Sequence, residues 1–382
     1  MNKLFSAIDT LQPVYKQFWK DIVAIESPSR NVEQVNKVVD FIAAFASSRG
    51  FTVIQYPDLG LGKMLTVETS TGEEEGTFTF MAHMDTVHPM GAFGEQVVWE
   101  EDDWLHGPGC IDCKGGIACA MLAMEALRET GYCAHKLKLI LTPDEEITTP
   151  TSRDFIVEQN KGAIALFNSE TGTEGKLTVG RKSVFKVKVE VTGKAAHAGN
   201  NYFDGVSAIK ECCLKILAIE ALSQKGGTTY NCGVIHGGTV SNAVAESCWF
   251  EVDIRALTDK DMHEAAANVT KIAENCTLTG AVGKAILPQL HRPPFEASDS
   301  TLAFFDKIRS VASEYGLEEF SSQIVGGGSD VVFAAMSGVT AICSTGVCGT
   351  GTHSTREKAY IPSLARRAKV MAAVITDYFK GE

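Results

Sequence analysis

Three apolar segments, each followed closely by acidic residues or a histidine, constrain this chain more than any other sequence feature. Residues 77–81 precede His83 and Asp85, residues 137–141 precede Glu145 and Glu146, and residues 163–167 precede Glu170. Each segment has the length and composition of a buried strand, and a helical pattern at residues 114–130 separates the first two. Strands that alternate with helices predict an α/β sheet, in which ligands bind beyond the carboxyl ends of the strands. The sequence therefore predicts a mixed α/β sheet with a functional site at that edge.

The pattern changes from about residue 179 onward. Apolar residues alternate with charged ones over residues 185–191 and again over residues 248–255. Such alternation predicts antiparallel strands with one face in water. Helical patterns at residues 205–222 and 259–275 fall between the predicted strands. The order strand, helix, strand, strand, helix, strand fits an inserted α+β domain of the ferredoxin-like kind.

The length of the chain also favours two domains. A chain of 382 residues exceeds the size at which a single hydrophobic core usually stops growing. The α/β pattern resumes after about residue 294. We therefore expect a discontinuous α/β domain of residues 1–178 and 294–382, interrupted by the α+β domain of residues 179–293.

The formal net charge of -12 excludes some classes of partner. Nucleic acids and anionic membranes bind basic surfaces, so we expect neither as a partner. Residues 1–20 lack the pattern of a secretory signal, and no apolar run reaches the roughly 18 residues of a membrane helix. The 11 cysteines are an odd number and lie mostly in apolar segments, which indicates free thiols. We therefore expect a cytoplasmic protein.

Carboxylates accumulate at the predicted site to a degree that requires positive charge nearby. The set comprises Asp85, Asp112, Glu145, Glu146 and Glu170. These side chains could not all stay ionised in one crevice without compensation, which two divalent metal ions would supply. His83 and His353 add imidazoles, and a mixture of imidazole and carboxylate ligands suits zinc. Ligand type does not exclude cobalt or manganese.

Spacing indicates separate roles for neighbouring side chains. Alternate residues of an extended segment share a face, so Asp85 can orient the imidazole of His83 while the other ring nitrogen binds metal. Glu145 and Glu146 are adjacent and must diverge, one toward a metal and the other toward whatever that metal activates. Motifs of nucleotide-binding proteins, serine hydrolases and His-Glu-x-x-His peptidases are absent from the sequence. Metal-assisted hydrolysis is therefore the favoured chemistry.

Seven motifs follow one another along the chain. They are His83-Met-Asp-Thr-Val, Gly107-Pro-Gly-x-x-Asp-x-Lys-Gly-Gly116, Asp144-Glu-Glu146, Ser169-Glu170, Gly193-Lys-Ala-Ala-His-Ala-Gly199, Gly326-Gly-Gly-Ser-Asp330 and His353-Ser. In this order they resemble the M20 family of metallopeptidases and amidohydrolases, with glutamate carboxypeptidase and peptidase T-like proteins as the branches most similar in appearance. The resemblance implies a di-zinc peptidase domain with an inserted lid and dimerisation domain, and a peptide or N-acyl amino acid as substrate.

The resemblance also implies a set of metal ligands. Asp112 would bridge two zinc ions. His83 and Glu170 would complete one site, and Glu146 and His353 would complete the other.

Two further residues would serve the reaction itself. Asp85 would hold His83 in place. Glu145 would be the general base and acid, which takes a proton from the attacking water and passes it to the departing amine. The family resemblance also suggests a cis peptide bond between Asp112 and Cys113.

Substrate contacts are implied mainly in the inserted domain. His197 resembles a histidine that stabilises the tetrahedral oxyanion across a dimer, so we expect a homodimer through the lid domain. Asn242 and Arg292 match substrate-holding positions of the glutamate carboxypeptidase branch, and the arginine fork suits a terminal carboxylate. Lys176 and Arg255 are further candidates, although Arg255 could equally pair with a carboxylate on its own strand.

Three alternatives to a carboxypeptidase-like hydrolase stay open. An N-acyl amino acid deacylase of the acetylornithine or succinyl-diaminopimelate type would use the same metal chemistry, whereas a non-catalytic metal-binding scaffold would not need Glu145. A thiol-dependent enzyme would use Cys110, Cys113 or Cys348. The first two thiols form a Cys-x-x-Cys pair, but neither matches a ligand position of the family, and a zinc knuckle would need a second pair. We interpret the pair as incidental.

Overall fold

The computed structural model describes residues 1–70 and 72–380. The helices in these residues are α1 (Asn2–Ala24), α2 (Val32–Ser48), α3 (Lys114–Glu129), α4 (Arg153–Asn160), α5 (Ala208–Glu220), α6 (Asp259–Glu274), α7 (Asp299–Glu314), α8 (Val331–Ala335) and α9 (Ser363–Thr376). The strands are β1 (Thr52–Gln55), β2 (Leu65–Glu68), β3 (Thr77–His83), β4 (Trp99–Glu101), β5 (Trp104–His106), β6 (Lys136–Thr142), β7 (Ala165–Asn168), β8 (Lys176–Arg181), β9 (Phe185–Thr192), β10 (Thr229–Gly237), β11 (Ser247–Arg255), β12 (Val282–Ile286), β13 (Ser321–Val325), β14 (Thr340–Cys343), β15 (Gly349–Thr350) and β16 (Lys358–Tyr360).

The largest sheet has eight strands in the order β1-β2-β6-β3-β7-β14-β8-β13. Strands β6, β3, β7 and β14 are parallel neighbours, whereas β2 is antiparallel to β6. Nearly every residue of β3, β6 and β7 is buried, as expected for strands covered on both faces. The sheet is mixed, and the α/β fold class predicted from the sequence is confirmed.

Helix α3 forms the centre of one helical layer and packs against α1 and α9. All of residues 114–127 are buried, and the glycines and alanines among them allow this close packing. The predicted helix of residues 114–130 thus ends within one residue of the observed one. None of the helices in the described residues is both long and apolar enough to cross a membrane.

The chain divides into two compact units. Unit 1 comprises the described residues of Met1–Val179, Ala297–Gln323 and Ser329–Glu382, and unit 2 comprises Gly180–Glu296 and Ile324–Gly328. Unit 1 also contains a small antiparallel sheet in the order β15-β16-β5-β4.

Unit 2 is built on a four-stranded antiparallel sheet in the order β10-β11-β9-β12. Its helices α5 and α6 pack against the strands. In β9 and β11 alternate residues are buried, which is the one-sided pattern expected from the sequence. The assignment of residues 179–293 to a lid and dimerisation domain stays a prediction.

Candidate metal centre

Three parallel strands deliver side chains to one edge of the large sheet. His83 is the last residue of β3, Glu145 and Glu146 lie in a short 3-10 turn after β6, and Glu170 lies shortly after β7. Strand β3 pairs with β6 on one side and with β7 on the other. Because parallel strands end at the same edge of a sheet, their order alone brings these side chains into one region.

Asp112 and His353 reach the same region from loops. Asp112 lies just before α3, and Cys113 is the N-cap residue of that helix. The peptide bond between Asp112 and Cys113 is cis, as the resemblance suggested. His353 lies between β15 and β16 with a φ angle of 60°, in the left-handed region that few side chains adopt.

The five predicted ligands form a connected cluster, which we call the metal centre: His83, Asp112, Glu146, Glu170 and His353. The Nε2 atom of His83 lies 3.2 Å from Oδ1 of Asp112, and Nε2 of His353 lies 3.4 Å from Oδ2. The same nitrogen of His353 lies 3.3 Å from Oε2 of Glu146. Asp112 thus turns one carboxylate oxygen toward each histidine.

Asp85 connects the histidine of β3 to the turn after β6. Its Oδ1 atom lies 3.3 Å from Nδ1 of His83, and its carboxylate accepts hydrogen bonds from the backbone N–H groups of Glu145 and Glu146 at 3.1 Å each. Asp85 is fully buried. The main-chain carbonyl of Asp85 lies closer still to Nδ1 of His83, at 3.0 Å. Asp85 therefore orients the imidazole through its carbonyl and its carboxylate, and the carboxylate also fixes the backbone of both glutamates.

Glu170 is held by a separate pair of hydrogen-bonding residues. The hydroxyl of Ser329 donates a hydrogen bond of 3.1 Å to its Oε1 atom, and the side-chain amide of Asn168 donates to that hydroxyl at 2.8 Å. Ser329 belongs to the Gly-Gly-Gly-Ser-Asp motif, so this motif contributes to the centre by orienting a predicted ligand.

The electrostatics of the metal centre favour positive charge. Burial raises the pKa of Glu146 to about 7, and hydrogen bonds to Asp112 and Glu146 raise the pKa of His353 to about 10. Burial opposes ionisation of Asp112, yet hydrogen bonds from His353 and His83 hold its pKa below its usual range. In the part of the chain that the structure describes, no lysine or arginine forms an ion pair with Asp112, Glu146 or Glu170.

The donor set fits divalent metal ions. The ligand atoms of His83, Asp112 and Glu146 lie within 4.8 Å of one another, as do those of His83, Cys113 and Glu170. Imidazole and carboxylate donors are the ligands of hydrolytic zinc sites, and the cation would supply the missing positive charge. These residues therefore suit the divalent metal ions that the sequence predicts.

Known proteins resemble this chain in sequence. A sequence profile of peptidase family M20/M25/M40 matches residues 79–377. The chain belongs to this family. Carboxypeptidase G2 of Pseudomonas sp. (strain RS-16) is 30% identical to this M20 peptidase over 390 residues, which cover 100% of this chain and 93% of that protein.

Two solved structures have the same fold as this M20 peptidase. Aminopeptidase PepT of Bacillus cereus has a TM-score of 0.81 at 23% identity, over 97% of this chain and 99% of that one. A tripeptidase of Staphylococcus aureus has a TM-score of 0.80 at 22% identity, over 95% of this chain and 97% of that one. Family and metal-binding groups together identify the chain as a metallopeptidase-type hydrolase.

Glu357 supports the metal centre of this M20 peptidase, although none of the sequence motifs includes it. Its buried carboxylate accepts hydrogen bonds from the backbone N–H groups of Gly109, Ile111 and Asp112 at 3.0 to 3.1 Å. The ring of His88 lies 2.7 Å from the same carboxylate. Glu357 therefore fixes the glycine-rich loop that presents Asp112. The only sequence signal is an acidic residue four positions after His353.

Two of the predicted substrate residues lie on adjacent segments of unit 2. The backbone N–H of Ala198 donates to the carbonyl of Asn242 at 2.9 Å, next to a bridge between His197 and Ala243. The side chain of His197 is exposed, and its Nδ1 accepts hydrogen bonds from two backbone N–H groups. This arrangement fixes the imidazole and directs Nε2 away from its own loop.

The two predicted arginines of unit 2 have different surroundings. Arg292 is buried, and a side chain on Gly328 would come within 2.8 Å of it, so this glycine makes room for the arginine. The guanidinium of Arg255 instead forms two hydrogen bonds with Asp253, at 2.6 and 3.0 Å. The sequence left open whether Arg255 binds substrate or pairs with a carboxylate on its own strand, and the structure shows this pairing. Lys176, at the start of β8 in unit 1, is exposed.

Proposed function

We propose that this M20 peptidase is a two-zinc hydrolase that cleaves an amide bond next to a free carboxylate, in a short peptide or an N-acyl amino acid. The observation that carries the proposal is the position of Asp112, whose two carboxylate oxygens face two different histidines. A carboxylate that can bind on both sides suits a pair of metal ions. The similarity to carboxypeptidase G2 supports the carboxypeptidase-like reaction.

The ligands would divide into two sets that share Asp112. His83 and Glu170 would hold one ion, and Glu146 and His353 would hold the other. When bound, zinc polarises the amide carbonyl and makes water a better nucleophile near neutral pH. Zinc is proposed because imidazole and carboxylate donors suit it, with cobalt and manganese as outcomes that a metal analysis would reveal.

Glu145 would move the proton during hydrolysis. Its backbone is fixed by Asp85, and its side chain is buried beside Glu146. As general base its carboxylate takes a proton from the water that attacks the carbonyl carbon. As general acid it then gives that proton to the amine nitrogen, so the carboxylate is regenerated when the C–N bond breaks.

Unit 2 would recognise the substrate. Arg292 would bind the free carboxylate with its two-pronged guanidinium, and Asn242 would hold the substrate beside it. His197 of a second copy of the chain would stabilise the oxyanion, which requires a homodimer formed through unit 2. Lys176 and Arg255 are the weaker candidates. We propose that the enzyme is cytoplasmic and that, apart from metal ions and a second copy of the chain, it binds only its small substrate.

The direct test combines metal analysis with a substrate panel. The purified protein should contain about two zinc ions per chain and should release the C-terminal residue from dipeptides, tripeptides or N-acyl amino acids. Cleavage of N-acyl amino acids alone would favour the deacylase, and cleavage of none despite bound metal would favour the scaffold.

A variant of the base separates catalysis from metal binding. Glu145→Gln should keep its metal content and lose turnover by at least about 100-fold, the lower range for a general base. Glu158→Gln, the same change at a largely exposed glutamate, should match the wild type. Full activity of a metal-replete Glu145→Gln protein would overturn the assigned role.

A further inference from the structure

Cys113 lies inside the metal centre although the family motifs assign it no role. Its sulfur, a ligand atom of His83 and a carboxylate oxygen of Glu170 all lie within 4.8 Å of one another, and all three residues are buried. Ligands at about 2.0–2.3 Å from a tetrahedral zinc lie roughly 3.5 Å apart. A contraction of about 1 Å would therefore let all three atoms bind one ion.

Tertiary packing holds the sulfur in this position. The thiol donates a hydrogen bond of 3.2 Å to the carbonyl of Ser169, directly before Glu170. A side chain on Gly116 would lie 1.8 Å from the same carbonyl oxygen, so only glycine lets the first turn of α3 pack this closely against the end of β7. The position of Cys113 is thus set by the contact between the first turn of α3 and Ser169, which follows β7.

Cys110 shows that this position is not a general property of the loop. It is also fully buried, but its thiol donates to the carbonyl of Leu105 at 3.3 Å. Among the described residues it belongs to no group of potential metal ligands. The two cysteines therefore form a matched pair, in which one sulfur faces the metal centre and the other does not.

We propose that Cys113, as a thiolate, is an additional ligand of the metal ion held by His83 and Glu170. The proposal rests on the metal centre of the proposed function and adds a soft ligand to it. Formation of the sulfur–metal bond displaces the thiol proton to solvent and ends the weak hydrogen bond to Ser169. Because thiolate prefers zinc to manganese, this centre would retain zinc more strongly than one built from imidazole and carboxylate alone.

Cobalt substitution tests the proposal directly. The full-length protein loaded with Co²⁺ should show a near-ultraviolet sulfur-to-cobalt charge-transfer band, which imidazole and carboxylate ligands do not produce. Cys110→Ser should keep the band. Cys113→Ser should lose it while still binding Co²⁺, as measured by metal analysis of the same samples.

Zinc provides a second measurement that needs no variant. X-ray absorption at the zinc edge of the wild type should show a sulfur neighbour at about 2.3 Å in addition to nitrogen and oxygen neighbours. Loss of an outer-shell partner costs at least about tenfold in metal affinity. Because Cys113 would bind the ion directly, Cys113→Ser should bind zinc at least about tenfold more weakly in competition with a chelator. Its affinity for manganese should change less.

The outcomes separate this inference from the proposed function. Wild-type protein that binds two metal ions and shows neither the cobalt band nor a zinc–sulfur neighbour would overturn the role of Cys113 and leave the hydrolase intact. Protein that binds no metal would overturn both. A band that survives in Cys113→Ser and disappears in Cys110→Ser would show that Cys110 is the sulfur ligand. That result would also overturn the inference.

Discussion

Unit 1 contains a second group of potential metal ligands, and its surroundings differ sharply from those of the metal centre. Ligand atoms of Glu174, Glu318 and Cys348 lie within 4.8 Å of one another, as do those of His83, Asp112 and Glu146 in the metal centre. Arginines neutralise this second group, however. The Nε atom of Arg367 lies 3.2 Å from Glu318, and Arg366 forms an ion pair with Glu174. We call these five residues the arginine-paired group.

The difference teaches that donor geometry alone does not define a metal site. In the arginine-paired group, guanidinium groups already balance the carboxylates, and Arg367 also donates to the sulfur of Cys348 at 3.2 Å. A cation bound there would have to displace them. In the metal centre, as far as the structure describes the chain, neither lysine nor arginine pairs with the carboxylates predicted to be ligands. The negative charge of these carboxylates is balanced by the two histidines and, in our proposal, by zinc.

The largest effect is expected from Asp112→Asn. This change removes the charge that faces both histidines, so the protein should lose bound metal. Loss of an outer-shell partner costs up to about 100-fold in activity. Because Asp112 would bind the metal ions directly, turnover of this variant should fall by more than that. Metal analysis after dialysis and the amide-cleavage assay measure the two effects. Glu318→Gln is the matched control, and equal metal loss in both variants would contradict the distinction between the groups.

Glu318→Gln should instead act on stability. Arg367 is almost fully buried and would lose its carboxylate partner, which typically costs about 3–5 kcal/mol. Urea unfolding should show this decrease in the free energy of unfolding at unchanged metal content. An unfolding midpoint equal to that of the wild type would mean that Arg367 is compensated elsewhere.

The sequence could predict that several side chains of the candidate site lie close together, because it reveals the strands that carry them. The apolar segments that end near His83, Glu145 and Glu170 are adjacent parallel strands, and their carboxyl ends meet at one edge. The alternating pattern likewise placed Asp253 and Arg255 on one face of β11, where they pair. The strands and the face on which each side chain lies follow from local periodicity, which can be identified in a single sequence.

The supporting contacts could not be predicted in the same way. Glu357 binds backbone N–H groups, which every residue except proline carries, so no side-chain pattern marks its partners. Cys113 approaches His83 and Glu170 only because Gly116 lets α3 pack against Ser169. That contact joins segments far apart in the chain. Such contacts depend on tertiary packing and leave no local signature.

Glu357→Gln should produce an intermediate effect. The amide keeps the shape of the side chain but turns a donor toward the backbone N–H groups of the Asp112 loop, so the loop loses its anchor. Zinc affinity, measured by competition with a chelator, should fall about 10- to 100-fold. Turnover at saturating zinc should fall less. An unchanged zinc affinity would show that the loop needs no anchor and that Glu357 contributes only to folding.

The smallest effect is expected from Glu174→Gln in the arginine-paired group. Its side chain is largely exposed and pairs with a partly exposed Arg366, so loss of the ion pair should cost less than about 1 kcal/mol. Urea unfolding at low and high salt measures this cost, which salt should reduce further. A small loss here beside a large loss in Glu318→Gln would show that burial of the arginine, rather than the number of ion pairs, stabilises the group. A cost equal to that of Glu318→Gln would instead mean that the group acts as one network, because removal of either carboxylate would then release both arginines.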